Sequence, residues 1–351
     1  MIQRFPTTAA GEPGSGTLVC QCYNDKTKFS RIHAQYPLKF IPTRGHADRL
    51  AVVYMISYGG GIVSGDRFNI SIEVLPKAIL LLMTQGNTKV FKDRIHQRQW
   101  MTLLAQKTTD ALQRILSPAP PPTPTPSNKN SKEMAEETSI QTITTQVSSN
   151  GTCLILPDPV TSFKHSSFTS RQLIHLEDDS AQLVLLDWFT SGRHTRGENW
   201  AFNFYASRID IRVKRRLVIK DHMVLEDDPA SGNGGAAGGG DTSYAAKLRP
   251  YTCFATLIII ARASSSESAA SLYQSIESIL AKAEDMRMYP HALKEQRDLL
   301  WSVSPCLDQR GVLIRIAGMT TEMVRDFVKD ECLGQGLKDI VGEGMFGKIL
   351  M

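Results

Sequence analysis

A glycine-dense turn followed at once by an alternating strand is the feature that most limits how this chain folds. Residues 58–92 read YGGGIVSGDRFNISIEVLPKAILLLMTQGNTKVFK. Apolar and polar side chains alternate from Phe68 to Val74, and a period of two is typical of a half-buried strand. A second apolar run, Ile79–Met83, ends in the polar turn TQGNTK. The pattern predicts a β-scaffold in which two neighbouring turns present the side chains of Asp66 and Lys89.

Strand signals dominate the first two-thirds of the chain. Gln172–Phe189 holds two apolar stretches around an acidic turn, and Arg208–Leu225 alternates apolar and charged side chains. Helical spacing appears later, in Ser266–Met288 and in Thr320–Leu333, where Thr320 is the expected N-cap. Without an alternation of strands and helices, the sequence predicts a mainly β protein with a small α+β C-terminal part.

Two segments of biased composition interrupt this pattern. One spans about residues 117–150 and opens with SPAPPPTPTPSNKNSK; the other spans 231–243 and reads SGNGGAAGGGDTS. Such sequences bury too little apolar surface to offset the entropy lost on ordering. We expect a single domain over residues 1–350 with disordered insertions at these two places.

Composition and charge exclude several classes of protein. The net charge of +5 is too mild to indicate nucleic-acid or membrane binding. The first residues, MIQRFPTTAAGEPG, have no apolar core, so we expect no secretory signal; the most apolar run, Cys253–Ala261, is shorter than the roughly 20 residues that cross a membrane. Six scattered cysteines are typical of reduced thiols, so we expect a cytoplasmic protein.

The familiar catalytic and metal-binding motifs are missing from the sequence. There is no phosphate loop, no nucleophile elbow and no HExxH zinc motif. Cys20 and Cys22 would lie on the same side of a strand, but an isolated pair is more often packing than a metal site. Scattered acids on a β-scaffold keep one enzymatic alternative open, a β-solenoid carbohydrate-active enzyme.

A second cluster of charged and polar residues lies in LLDWFTSGRHTRGE, residues 185–198. Asp187 interrupts an apolar strand, which costs free energy unless the carboxylate is paired, solvated or bound to a metal. The loop that follows offers four polar partners: Arg193, His194, Arg196 and Glu198. Asp187 is therefore either the ion-pair partner of a loop arginine or a functional carboxylate, and His194 is either a metal ligand or a solvated loop residue.

Four segments in this order resemble the motifs of one family, the urease accessory protein UreD, also called UreH. They are GGGIVSGD, TQGNTKVFK, LPDPVTSF and DWFTSGRHTRGE, and the N-terminal AQYPLKFIP resembles the eukaryotic members. The resemblance implies an elongated, β-helix-like stack of strands without catalytic activity. It also implies a scaffold that bridges apo-urease to UreF, and through UreF to the GTPase UreG, while nickel passes through the assembly to urease. GTP would bind UreG and not this chain.

The resemblance also implies roles for single residues. Asp66 matches the acid that ends the glycine motif, and Asp187 matches the acid that precedes the family's LGRxxxGE motif, which reads SGRHTRGE here. With Asp221 as a weaker candidate, these carboxylates would contact nickel in transit. Asp158 stands in LPDP where the family has LPQE. The residues expected to shape loops or meet partners are Gly60, Gly61, Gly65, Lys89, Asp158, Arg193, His194, Arg196 and Glu198. The apolar segment after Cys332 could contact UreF or urease.

Overall fold

The chain is built mainly from two mixed β-sheets, with short helices near its C-terminus. A computed structural model describes residues 11–43, 49–93, 138–226, 242–262, 270–288 and 298–351. The strands in chain order are β1 (Ser15–Tyr23), β2 (Lys26–Ala34), β3 (Leu38–Thr43), β4 (Ala51–Ser57), β5 (Arg67–Val74), β6 (Ile79–Thr84), β7 (Thr88–Val90), β8 (Ser139–Val147), β9 (Thr152–Ile155), β10 (Val160–Ser162), β11 (Ser167–Leu176), β12 (Gln182–Thr190), β13 (Phe204–Val213), β14 (Arg216–Glu226), β15 (Cys253–Ile260), β16 (Leu299–Cys306) and β17 (Gly311–Gly318). The mainly β prediction is confirmed.

From β4 to β13 the chain alternates between the two sheets, while hairpins at both ends add neighbouring strands to one sheet. The first sheet has the order β14-β13-β11-β8-β5-β1-β2, and the second the order β16-β17-β15-β12-β9-β6-β4-β3; the short β10 pairs with β12, and β7 pairs with β10. Neighbours from β5 to β13 in the first sheet, and from β4 to β12 in the second, are parallel. The chain thus winds around a common core and lays strands alternately on each sheet, which confirms the β-helix-like stack.

The main core lies between the sheets, and a second core lies outside the second sheet. Burial along β5 alternates strictly, with Phe68 and Ile72 turned inward, as predicted. Leu185 of β12 faces the inter-sheet core, whereas Leu186 faces the C-terminal helices. A strand covered on both faces needs apolar residues at nearly every position, which explains the continuous apolar run of β12.

Helices cover the second sheet. They are α1 (Ala245–Leu248), α2 (Ala270–Met288), α3 (Thr321–Asp326), a π-helix (Phe327–Cys332), α4 (Leu337–Val341) and α5 (Glu343–Phe346), with short 3-10 turns at Tyr58–Gly60 and His194–Arg196. The Thr320 hydroxyl accepts a hydrogen bond from the Met323 amide at 3.2 Å, which confirms the predicted N-cap. The predicted helix over 320–333 is divided, because its second half has π-helical hydrogen bonding.

The predicted insertion at 117–150 is wrong at its C-terminal end. Ser139–Val147 is β8, which lies in the middle of the first sheet and pairs in parallel with β5 and β11. Its threonines favour strands through their β-branched side chains, and the buried Ile143 and Val147 face the core. Residues 117–137 lie outside the described residues, and Ser148–Asn150 lie in the turn between β8 and β9.

The predicted insertion at 231–243 falls largely outside the described residues. At its end, the Thr242 hydroxyl donates a hydrogen bond to the Trp200 carbonyl at 2.6 Å. The predicted helix over 266–288 is described from Ala270 onward. None of the helices described has the length and apolar character needed to cross a membrane.

A candidate site in the polar layer between the sheets

Polar side chains form a row across the inner face of the first sheet. Gln141 of β8, Ser170 of β11 and Ser207 of β13 are direct neighbours in the strand register. Gln172 and Asp221 lie one inward position further along their strands, in register with Ile209 of β13 between them. The positions that flank this row are apolar on most of these strands, so the row is a local break in the core.

A matching row crosses the second sheet. Asp187 of β12, Thr256 of β15 and Arg315 of β17 are neighbours in register. The two rows are joined by side chains, since the Ser207 hydroxyl donates a hydrogen bond to Asp187 and the Arg315 guanidinium contacts Asp221 at 2.7 Å. We call this set the polar layer; its members are Gln141, Ser170, Gln172, Ser207 and Asp221 from the first sheet and Thr84, Asp158, Asp187, Thr256 and Arg315 from the second sheet and its loops.

Three cavities follow the polar layer and share its residues. The Arg315 cavity, of about 90 Å³, is lined by Asp187, Asp221 and Arg315. The inner cavity, of about 30 Å³, lies between the sheets and also has Asp187 in its wall. The Asp158 cavity, of about 460 Å³, shares Asp158 and Thr84 with the inner cavity. The three cavities are therefore neighbours in a series that crosses the core.

Burial changes the titration of two carboxyl groups in the layer. Desolvation raises the pKa of Asp187; the Ser207 hydrogen bond opposes this rise and the nearby charge of Asp221 adds to it. Desolvation likewise raises the pKa of Asp158, against hydrogen bonds from the Gly86 amide at 2.7 Å and from Thr84. Both carboxylates are costly to keep charged, so a proton or a cation beside them is stabilised.

Two buried polar atoms near Asp187 lack a hydrogen-bond partner among the described residues. They are Oε1 of Gln172, which lines the inner cavity, and the hydroxyl of Tyr205. Burial, with the charge of Asp187, raises the pKa of Tyr205 well above its usual value. Native structures rarely leave such atoms unsatisfied, and the inner cavity is large enough for a water molecule, which needs about 10–15 Å³.

The glycine motif shapes a turn away from the polar layer. Asp66 accepts a hydrogen bond from the Val63 amide at 2.8 Å, and it lines none of the three cavities. Gly60 and Gly65 have positive φ values of 76° and 83°. Gly61 packs so closely that an added Cβ would lie 2.5 Å from the Lys89 carbonyl oxygen, whereas the Lys89 side chain is exposed.

The loop after β12 is held by its own ion pair. Arg193 donates to Glu198 at 2.8 Å through Nε, contacts it again through its terminal nitrogen, and stacks 3.9 Å from the centre of the Phe163 ring. His194 shares a 2.9 Å hydrogen bond with the Ser191 hydroxyl, and Arg196 is exposed. The ion pair considered between Asp187 and a loop arginine is wrong, because Arg193 binds Glu198 and Asp187 binds Ser207.

The described cysteines are packing residues. Cys20 is buried, which raises the pKa of its thiol to about 12, and Cys22 on the same strand is half-buried. All six cysteines are free thiols. Within the described ranges, no three His, Cys, Asp or Glu side chains come together as a metal cluster.

Sequence reasoning located two acids of the layer, Asp187 and Asp221, and the structure brings them to one cavity. It also named Asp158, as a loop residue. It missed Ser207, Gln172 and Arg315. The available signal was a polar residue at an inward position of an alternating strand, as Ser207 is between Tyr205 and Ile209.

These features define a class of protein: a β-helix-like stack whose core is crossed by a layer of oxygen-rich side chains. The UreD urease accessory protein family matches residues 12–333, and the chain belongs to that family. It is 30% identical over 361 aligned positions to Urease accessory protein 4 of Cryptococcus neoformans var. grubii, covering 99% of this chain and 98% of that protein. An alignment of that extent includes most of residues 334–351, which lie beyond the family match.

Relatives occur in bacteria and plants as well. Urease accessory protein UreD of Sorangium cellulosum is 29% identical, with 91% of this chain and 80% of that protein covered. Urease accessory protein D of Arabidopsis thaliana is 24% identical, with 90% and 95% covered.

Proposed function

We propose that this chain acts in the maturation of urease, as a scaffold without catalytic activity that bridges apo-urease to UreF and, through UreF, to UreG. Family membership carries this part of the proposal, since the relatives are named urease accessory proteins. The same membership favours the scaffold over a carbohydrate-active enzyme, which the mainly β pattern and scattered acids alone support.

The second part of the proposal is that nickel passes to urease through the polar layer. The observation that carries it is the series of three cavities linked by Asp187 and Asp158. A metal in transit needs ligands that bind and release, and single carboxylates with hydroxyl and amide oxygens bind nickel more weakly than a cage of thiolates or imidazoles. Burial raises the pKa values of Asp187 and Asp158, so a cation beside either carboxylate would lower the free energy needed to keep it ionised.

Arg315 is positioned to occupy one end of the proposed nickel path when no metal ion is passing through it. Its guanidinium contacts Asp221 at 2.7 Å, and both residues line the cavity that contains Asp187. A divalent cation would compete with the guanidinium for the Asp221 carboxylate, so cation entry and a shift of Arg315 are coupled in this proposal.

A reconstitution in cells tests both parts. Cells that lack their own UreD receive urease, UreF, UreG and nickel, with or without this chain, and urease activity and co-purification with UreF are measured. Activity and UreF capture that depend on the chain are expected. A soluble chain that neither captures UreF nor supports activity would contradict the scaffold role.

Charge-removing variants separate the conduit from the scaffold. Asp187→Asn combined with Asp158→Asn should lower urease activation at limiting nickel while UreF capture persists. The matched control is Glu284→Gln with Asp285→Asn, which removes two exposed acids of α2. Full activation by the layer variant at limiting nickel would contradict the conduit. Asp66→Ala is a separate test. Because the Asp66 carboxylate makes its contact within the turn, we expect this variant to act by lowering the stability of the fold.

A further inference from the structure

The C-terminal segment Gly334–Met351 folds back onto the second sheet. Its apolar side chains Leu337, Val341 and Ile349 are completely buried in the outer core. Since apolar burial is the main source of stabilisation, the segment is an integral part of the fold.

Two contacts from remote parts of the chain fix where the segment lies. Arg49, which precedes β4, donates a hydrogen bond to the Asp339 carbonyl at 2.6 Å. Lys329 of the π-helix donates to the Gly347 carbonyl at 3.2 Å, directly before the last four residues. These contacts hold the end of the segment beside the loops that follow β6 and β9.

That end completes the wall of the Asp158 cavity. Lys348, Leu350 and Met351 line this cavity, together with Gln85 and Asp158 from the loops. Asp158 also lines the inner cavity. The C-terminal residues therefore lie at the outer end of the series of cavities that follows the polar layer. The family match ends at residue 333, and the residues that form this wall lie beyond it.

The charged side chains that line the Asp158 cavity are Asp158 and Lys348. The two side chains carry opposite charges, so Lys348 offsets the attraction that the Asp158 carboxylate exerts on small cations in the cavity. Two charges about 8 Å apart in a solvated cavity interact by a fraction of a kcal/mol at physiological salt, which changes a rate measurably without closing the route.

We propose that the C-terminal segment forms the outer wall of the Asp158 cavity, and that Lys348 sets the charge selectivity of this opening by offsetting Asp158, so that small cations are slowed relative to small anions in comparison with a chain that lacks the lysine charge. The consequence for nickel rests on the proposed conduit; the wall and its selectivity do not. Lys348 is thus a specificity-determining residue outside the polar layer itself.

A charged-reagent assay tests the inference on the purified chain. The substitution Gln85→Cys places a thiol in the cavity wall, and its modification by a positively and a negatively charged methanethiosulfonate reagent is followed by peptide mass spectrometry. The native half-buried Cys22 and Cys306 are references within each sample.

In this background, Lys348→Glu should raise the ratio of the cationic to the anionic reaction rate at the introduced thiol by about three- to tenfold, and Lys348→Gln by roughly the square root of that factor. The control Lys338→Glu makes the same charge change in the same segment, on a residue that stacks on Phe346 outside the cavity wall. The ratio for the control should change less than about twofold. Equal shifts from positions 338 and 348, or an unchanged ratio for both position-348 variants, would overturn the assignment.

A second variant separates the wall from the charge. Leu350→Ala shortens an uncharged wall residue, so it should speed the reaction of both reagents with the introduced thiol by a similar factor and leave the ratio unchanged. Unchanged rates for both reagents would contradict the wall. Urease activation at limiting nickel is then compared for Lys348→Gln: a change supports the conduit, and no change, alongside a shifted thiol ratio, counts against the conduit while the wall stands.

Discussion

The hydrogen bond between Ser207 and Asp187 allows a quantitative test of the polar layer. Ser207 is 5% exposed, and its hydroxyl donates to a carboxylate that faces the inter-sheet core. A hydrogen bond to a charged group contributes about 1.5–3 kcal/mol. Since Asp187 is only partly shielded from solvent, the lower part of this range applies. We expect Ser207→Ala to lower the free energy of unfolding by about 1.5–2 kcal/mol at pH 7.5.

The pH dependence of that loss has a definite sign. The Ser207 hydrogen bond lowers the pKa of Asp187, against the rise caused by burial. The stabilisation that Ser207 provides is therefore complete above the folded-state pKa that Asp187 has in the Ser207→Ala variant, and it shrinks as the pH falls from there through the lower pKa of the parent. When Asp187 is protonated, Ser207→Ala removes only a neutral hydrogen bond, which contributes about 0.5–1.5 kcal/mol. The difference in free energy of unfolding between the variant and the parent should therefore narrow in acid.

The measurement is urea unfolding of both proteins at a series of pH values, followed by the fluorescence of buried tryptophans such as Trp188 and Trp200. Ser304→Ala, an exposed serine on β16, is the matched control and should change stability by less than about 0.5 kcal/mol. In Asp187→Asn, the additional cost of Ser207→Ala should fall to that of a neutral bond. A loss below about 0.5 kcal/mol, or one that does not vary with pH, would refute the reasoning.

Two further variants test the turn and the layer. Gly61→Ala should lower the free energy of unfolding by about 2–3 kcal/mol, since its Cβ would collide with the Lys89 carbonyl, whereas Gly60→Ala meets no atom within 4 Å and should cost about 1 kcal/mol for its positive φ. Thermal unfolding compares them, and equal costs would contradict the packing argument. Gln172→Leu removes an unsatisfied buried oxygen, so its stability in urea should equal or exceed the parent's while urease activation falls; lost stability would show that the amide is satisfied.

The repetitive parts of the fold could be predicted from the sequence. Alternation of apolar and polar residues located β5 and β13; in β5 it coincides with a single buried face, which displays the period of two directly. β8 was missed because its threonines and glutamines resemble the polar composition of the insertion before it. Composition averaged over a window obscured an alternation that Ile143, Thr145 and Val147 carry on the buried face.

The polar layer could not be assembled from the sequence, because register between distant strands decides which side chains meet. Asp221 and Arg315 are 94 residues apart in the chain and yet form an ion pair. The search for a partner of Asp187 considered the nearby loop arginines, but Arg193 is taken by Glu198, five residues further on. In a stack of parallel strands, a shift of one residue would turn each of these side chains to the opposite face.

The polar layer is difficult to explain by stability alone. Apolar residues of similar size would fill the same positions without the desolvation cost that raises the pKa values of Asp187 and Asp158. Ser207 compensates part of this cost, but Oε1 of Gln172 has no partner among the described residues. Local violations of the rules that favour a stable core concentrate at functional sites. Stability and urease activation should therefore respond in opposite directions when an unpartnered group such as Gln172, or both partners of a layer contact, are replaced by apolar residues of similar size. An ordinary structural network would lose both together.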